Sequence, residues 1–122
     1  MILADTSVWV EHFRSSNAIL AARLEKGEVL MHSFVLGELM LGGVRGDILA
    51  DLRNLPSASV ATAGEIEVMI ESASLAGRGV GYVDVALLAS ARLENGARLW
   101  SFDRRLMLVA ASLSVAFTEA SS

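Results

Sequence analysis

The chain has 122 residues, 53% of them hydrophobic, no cysteine and a formal net charge of −4 at pH 7. This length favours a single domain, predicted to span residues 1–122, whose core buries about two-thirds of the unfolded surface. The lack of cysteine excludes disulfides, thiolate zinc sites and cysteine nucleophiles, and the negative charge argues against a basic face that coats nucleic acid nonspecifically.

Short apolar runs alternate with segments of helical periodicity along the whole chain. In chain order, the first half predicts a strand at 1–4, helices at about 7–13 and 17–25, a strand at 28–33, and helices at 34–44 and 47–52. The second half predicts a weak strand at 57–61, helices from 62 or 63 to 76 and at about 82–94, a strand at 97–101, a helix from 103 and a strand at 113–117.

This alternation, with several strands apolar on both faces, is typical of a parallel sheet covered by helices on each side. We therefore predict an α/β fold, a three-layer α/β/α sandwich with a central, mainly parallel sheet of four to five strands. In such folds the site lies beyond the carboxyl ends of the strands. The apolar stretches are too short to span a membrane, and no basic region precedes the first, so we expect a cytoplasmic protein.

Acidic and hydroxyl side chains follow two of the predicted strands. Asp5 comes directly after the first strand and is followed by Thr6 and Ser7, while Ser101 and Asp103 stand at the end of strand 97–101. Parallel strands place both groups at the same edge of the sheet. Each group has two interpretations, because Asp, Ser and Thr are favoured caps of helix N-termini and are also common site residues.

Glu38 and Asp84 lie on predicted helices among apolar neighbours. The residues one turn before and after Glu38 are nearly all apolar, and Val80 and Leu88 flank Asp84 in the same way. A buried carboxylate without a partner is costly, and the chain has a single lysine, at Lys26. Asp84 could instead stabilise the first turn of its helix. A divalent cation is the simplest shared partner for several such acids.

Carboxylates that share a cation with water molecules suit Mg²⁺ or Mn²⁺ rather than zinc. Such a site polarises a phosphoryl oxygen and orients a water molecule, which is the chemistry of phosphodiester hydrolysis. Thr6, Ser7 and Ser101 could orient the carboxylates by hydrogen bonds, or could simply cap helices. This chemistry needs no histidine, serine or cysteine nucleophile.

Four motifs, taken together and in order, resemble the PIN-domain ribonucleases. They are the apolar strand that ends in "DTSVW", the helix-borne Glu of "GEL", the helix "DVALLASA" and the segment "LWSFDRRL" near the C-terminus. In its length and in the residues of these motifs, the chain is similar to the VapC-type toxins of bacterial toxin–antitoxin pairs. The resemblance covers nearly the whole chain.

The resemblance implies an Mg²⁺-dependent endoribonuclease, with Mn²⁺ as a substitute, that forms a homodimer and is inhibited by a cognate VapB-type antitoxin. It places the family's acids on Asp5, Glu38, Asp84 and Asp103, of which Asp5 and Asp84 are the expected direct metal ligands. Ser101 stands where the family more often has Thr and keeps the hydroxyl. Arg104 and Arg105 follow the last acid and could contact RNA phosphates, the antitoxin or a surface acid.

A non-catalytic interaction module with the same fold is the alternative from a different functional class. In that case the acids would only cap helices, and an apolar face would bind a partner. His12, His32, Trp9 and Trp100 are interpreted as structural residues rather than as ligands, bases or platforms for nucleotide stacking. Cleavage of RNA by the purified protein distinguishes the two hypotheses.

Overall fold

A computed structural model describes residues 1–119, in which helices surround a short parallel sheet. The strands are β1 (Ile2–Ala4), β2 (Val29–Leu30) and β3 (Arg98–Trp100). The helices are α1 (Thr6–Ser15), α2 (Ala18–Glu25), α3 (Ser33–Leu41), α4 (Gly46–Arg53), α5 (Ala63–Ser72), α6 (Tyr82–Leu93) and α7 (Arg104–Ser112).

The central strand of the sheet is β1, which pairs in parallel with β2 on one side and β3 on the other. Ile2 lies opposite both Val29 and Arg98, so the three strands begin at the same level. All three residues of β1 are buried, and because successive side chains point to opposite faces, both faces of the sheet are covered. This confirms the predicted α/β/α arrangement.

The two outermost predicted strands are each reduced to one bridged residue pair. Ser57 pairs with Met31 beside β2, and Ala116 pairs with Leu99 beside β3, both in parallel. The first segment leaves the sheet because the Ser59 N–H bonds the Glu94 carboxylate at 2.6 Å instead of a neighbouring strand. The sheet therefore has three strands among residues 1–119, and the prediction of four to five counted these bridges as full strands.

Two serines with left-handed backbone conformation change the predicted bounds of a helix and a strand. The helix ends earlier, and the strand begins later, than periodicity predicts. Helix α5 ends at Ser72 rather than at 76, because Ser74 has a φ of 52° and turns the buried Leu75 back into the core. Ser114 has a φ of 61°, so extended structure cannot begin at residue 113 as predicted. The single pairing at Ala116 follows directly.

The core contains the strands, the inner faces of the helices and nearly all of α6, in which every residue from 85 to 91 is buried. Trp9 and Trp100 are both buried, as expected of structural residues, so neither ring is free to stack on a nucleotide base. Within the part of the chain that the structure describes, no helix is long and apolar enough to cross a lipid bilayer.

His32 is fully buried and connects α3 to the central helix α6. Its Nδ1 accepts a hydrogen bond of 3.0 Å from the Phe34 N–H, and its Nε2 lies 3.0 Å from the Ser90 hydroxyl. Because Nδ1 is an acceptor, the proton of the neutral ring lies on Nε2, which donates to Ser90. Burial lowers the pKa of His32 from its ordinary value of 6.5.

We expect the free energy of unfolding to decrease as the pH falls below about 6.5, because the unfolded chain then takes up a proton that His32 resists in the folded protein. A His32→Asn variant, which keeps a capping acceptor for α3, should lose this part of the pH dependence. Urea denaturation at about pH 7.5 and about pH 5.5 measures the difference.

Ser90→Ala is the control, because it removes the partner of Nε2 without removing the imidazole. It should lower stability at both pH values and keep the pH dependence of the wild type. The same pH dependence in His32→Asn and wild type would contradict this account of His32.

Candidate functional site

The Asp5 carboxylate is the centre of a hydrogen-bond network at the carboxyl end of β1. Asp5 is 8% exposed, and its Oδ1 accepts from the Ser7 N–H at 3.0 Å and from the Ser7 hydroxyl at 2.5 Å. Its Oδ2 accepts from the Ser101 hydroxyl, also at 2.5 Å. Asp5 is thus the N-cap of α1 and is also held from the end of β3, so capping and orientation in a site are compatible.

Each of the two hydroxyls also accepts a backbone hydrogen bond from the segment that follows β3. The Phe102 N–H donates to Ser7 Oγ at 3.1 Å, and the Asp103 N–H donates to Ser101 Oγ at 3.0 Å. The two hydroxyls therefore connect both Asp5 oxygens to the backbone that carries Asp103. As expected from the parallel sheet, Asp5 and residues 101–103 lie at the same edge.

Asp84 lies in the first turn of α6 and is half-buried. Its Oδ2 accepts a hydrogen bond of 2.9 Å from the Gly81 N–H, so it also satisfies the end of its helix. Burial is the largest cause that raises the pKa of Asp84; the Gly81 N–H opposes it, and the charges of Asp103 and Asp5 add to it. The negative charges of Asp5, Asp84 and Asp103, which belong to three separate elements, therefore interact with one another.

Glu38 joins this edge of the sheet through Thr6, whose hydroxyl donates a hydrogen bond of 2.6 Å to Glu38 Oε1. The expectation that Glu38 lies among buried apolar side chains is wrong, because Glu38 is exposed. Its apolar neighbours are divided between core and surface, since Val35 is fully buried and Phe34 is half-buried, whereas Leu41 is 91% exposed. The apolar pattern around Glu38 therefore combines a core position with uncovered surface, and Glu38 lies on the uncovered side.

Asp103 caps α7, since its Oδ1 accepts from the Leu106 N–H at 3.1 Å. Arg104 and Arg105 begin that helix, and both are exposed. The structure thus brings Asp5, Ser7, Ser101 and Asp103 into one hydrogen-bond network. Asp84 lies near enough for the charges of Asp5 and Asp103 to raise its pKa. Thr6 and Glu38 form a separate pair beside the network.

The segment "GRGVG", residues 77–81, is not among the site residues that the sequence predicts. The structure shows that Gly81 of this segment donates its N–H to Asp84. The signal available in the sequence was its position directly before the helix that carries an acid. The site therefore includes a backbone donor as well as side chains.

Oxygen atoms alone supply the candidate metal donors at this edge, since the fully buried imidazole of His32 is engaged by Phe34 and Ser90. Among residues 1–119, no three His, Asp or Glu side chains converge closely enough to enclose a metal ion. Such a donor set fits a hard cation that keeps several waters and is held by one or two carboxylates, which is the usual behaviour of Mg²⁺.

The chain is similar to a known domain family and to known ribonucleases. The model of the family described as "PIN domain" matches residues 2–111, a range that includes all four acids. Ribonuclease VapC32 of Mycobacterium tuberculosis is 43% identical over 121 residues, which cover 98% of both chains. Ribonuclease VapC11 of the same organism and a VapC ribonuclease of Mycobacterium bovis are 29% identical in alignments of 112 positions, which cover 81% of this chain and 84% of theirs.

We expect Ser101→Ala to lower the free energy of unfolding by about 1–3 kcal/mol, because it leaves the buried Asp5 Oδ2 without its donor and the Asp103 N–H without its acceptor. Ser101→Thr keeps the hydroxyl and should lose less. Urea denaturation measures both.

Ser112→Ala is the matched control, since this hydroxyl makes one hydrogen bond, to Val109 of its own helix, and Ser112 is exposed. Its effect should stay within about 0.5 kcal/mol. Equal effects of Ser101→Ala and Ser112→Ala would show that the bridge to Asp5 does not stabilise the fold.

Proposed function

Because the chain belongs to the PIN-domain family and, within it, to the VapC-type ribonuclease toxins, we propose that it cleaves RNA with a divalent cation held at the edge of the sheet that carries Asp5. Asp5, Glu38, Asp84 and Asp103 are the proposed catalytic acids. Mg²⁺ is the proposed cation, with Mn²⁺ as a substitute. The observation that carries this proposal is the half-buried Asp84 beside the charges of Asp103 and Asp5.

The proposed ligand arrangement follows from how deeply each carboxylate lies. Asp5 and Asp84 would bind the cation directly, since each lies deeper than the exposed Glu38 and Asp103. Among residues 1–119, no donor bonds Asp84 Oδ1 or Glu38 Oε2, so both atoms are free to accept from water or a ligand. Glu38 and Asp103 would then act through water.

When bound, the cation would polarise a phosphoryl oxygen and favour attack by water on phosphorus. The residues of the chain supply orientation. Ser7 and Ser101 fix both oxygens of Asp5, and the Gly81 N–H fixes Asp84 Oδ2. Thr6 holds Glu38 by Oε1 and leaves Oε2 able to accept a proton or orient a water molecule.

RNA, a VapB-type antitoxin and a second copy of the chain are the proposed partners, and the cytoplasm is the proposed location. An apolar groove beside Glu38 supports a protein partner, since large apolar surfaces of this kind mark interaction sites. The groove is lined by Phe34, Met40, Leu41, Tyr82 and Val83.

We expect the purified protein, freed of any partner, to cleave RNA when Mg²⁺ or Mn²⁺ is present and to stop when EDTA is added. Asp84→Asn should lower the cleavage rate at least about a hundredfold, because it removes a carboxylate from the cation site. Gel analysis of end-labelled RNAs measures the rates.

Two measurements separate loss of chemistry from loss of fold. Asp84→Asn should melt no lower than wild type in EDTA, because the amide avoids the cost of a buried charge near Asp5 and Asp103. Asp51→Asn, at an exposed acid of α4, should cleave like wild type. Unchanged cleavage by Asp84→Asn contradicts the cation site, and no cleavage by wild type on a broad RNA panel favours the non-catalytic interaction module.

We also expect production of the chain without an antitoxin to arrest the growth of a bacterial host, whereas Asp84→Asn should not. The reason is that toxicity requires the same carboxylate as RNA cleavage. Growth curves at matched protein levels, with the RNA ends sequenced after brief induction, test this. Equal growth arrest by both proteins would show that the site is not the cause of toxicity.

A further inference from the structure

The Arg105 side chain occupies the space that a side chain at Gly79 would need. Gly79 lies in loop 77–81 with a φ of +78°, and a Cβ added there would come within 2.6 Å of Arg105 Nη1 and 2.8 Å of its Cδ. Real Cβ contacts are essentially never shorter than 3.0 Å. The absence of a side chain at Gly79 therefore allows Arg105 to lie directly against the loop backbone.

The same loop also orients Asp84, because the Gly81 N–H bonds Asp84 Oδ2 at 2.9 Å. A cationic side chain from α7 and an acidic side chain from α6 are thus both set by one segment of five residues, 77–81. For Arg104, the structure shows no comparable contact within residues 1–119. Arg105 is therefore the arginine of α7 whose side chain lies against the loop that orients Asp84.

The Arg105 guanidinium has no acidic partner among the described residues. The ion pairs between residues 1 and 119 join Arg23 to Glu28 and Arg45 to Asp47. Arg105 is exposed, and none of the described residues forms a hydrogen bond with it. Its five N–H donors are free, and their planar arrangement matches the oxygens of a phosphate.

A cation at this position meets an electrostatic requirement of the proposed reaction. The carboxylates of Asp5, Asp84 and Asp103 repel the phosphates of an approaching RNA, and one bound divalent cation offsets part of that charge. A guanidinium at the margin of the cluster can hold a phosphate beside the one being attacked. Arg105 has the required charge, exposure and free donors.

We propose that Gly79 is a positioning residue, which by lacking a side chain seats the Arg105 guanidinium against loop 77–81, where it binds a phosphate of the RNA substrate. This inference rests on the proposed ribonuclease function. It assigns Arg105 to the substrate and identifies loop 77–81 as the segment that fixes the spacing between a phosphate-binding group and Asp84.

The first experiment measures kcat/KM as a function of KCl concentration on an RNA that the wild-type protein cleaves. Arg105→Ala should lower kcat/KM roughly tenfold and reduce the slope of log kcat/KM against log salt by about 1, as expected for one lost phosphate contact. Arg105→Lys keeps the charge and should retain the salt slope with a smaller loss. Arg14→Ala, at an exposed arginine in the last turn of α1, is the charge-matched control.

The second experiment compares two glycines of the same loop. Gly77 has a φ of +75°, close to that of Gly79, but a Cβ at Gly77 would meet nothing within 4 Å. Gly77→Ala and Gly79→Ala therefore impose similar backbone strain, and only the latter displaces Arg105. Gly79→Ala should lower kcat/KM more than Gly77→Ala, and this difference should vanish in an Arg105→Ala background.

The outcomes separate this inference from the function on which it rests. If wild type cleaves RNA but Arg105→Ala matches Arg14→Ala in rate and salt slope, the assignment of Arg105 is wrong and the ribonuclease function stands. Equal effects of the two glycine variants in both backgrounds would overturn the role of Gly79. Melting temperatures of all variants exclude unfolding as the cause of a loss.

Discussion

The hydrogen bonds that converge on the Asp5 carboxylate hold the functional edge of this protein together. They begin α1, connect the end of β1 to the end of β3, and fix the backbone from which Asp103 and α7 continue. Because β1 is the central strand, Asp5 has a fixed position relative to the elements on either side. One side chain thus stabilises the fold and fixes the position of an acid at the edge of the sheet.

The arrangement of like charges around Asp5 has an energetic consequence. Burial and the carboxylates of Asp103 and Asp5 disfavour the ionised form of Asp84, although the Gly81 N–H partly compensates. An ionised Asp84 therefore lowers the stability of the folded protein. A bound cation would offset both the repulsion between the carboxylates and the cost of desolvation. Carboxylates perturbed in this way cluster at functional sites, which supports the proposed cation site.

Periodicity and strand ends predicted the parallel sheet, its helical cover and the position of Asp5 beside Ser101, because these follow from local pattern and sheet geometry. The motif resemblance to VapC-type PIN-domain ribonucleases is confirmed. The exposure of Glu38 was not predictable, since periodicity shows which residues share a helix face but not whether another element covers that face. The contact between Gly79 and Arg105 joins two elements that are distant in sequence, and no local pattern encodes it.

The hydrogen bond between Ser101 and Asp5 spans 96 positions in the chain, which has a consequence during protein synthesis. Asp5 leaves the ribosome early, but its second oxygen has no donor until β3 and the residues after it have emerged. A nascent chain therefore carries an incomplete acid cluster until residues 98–103 have emerged. The order of the elements along the chain therefore keeps the site incomplete while the helices and strands between Asp5 and β3 can already fold.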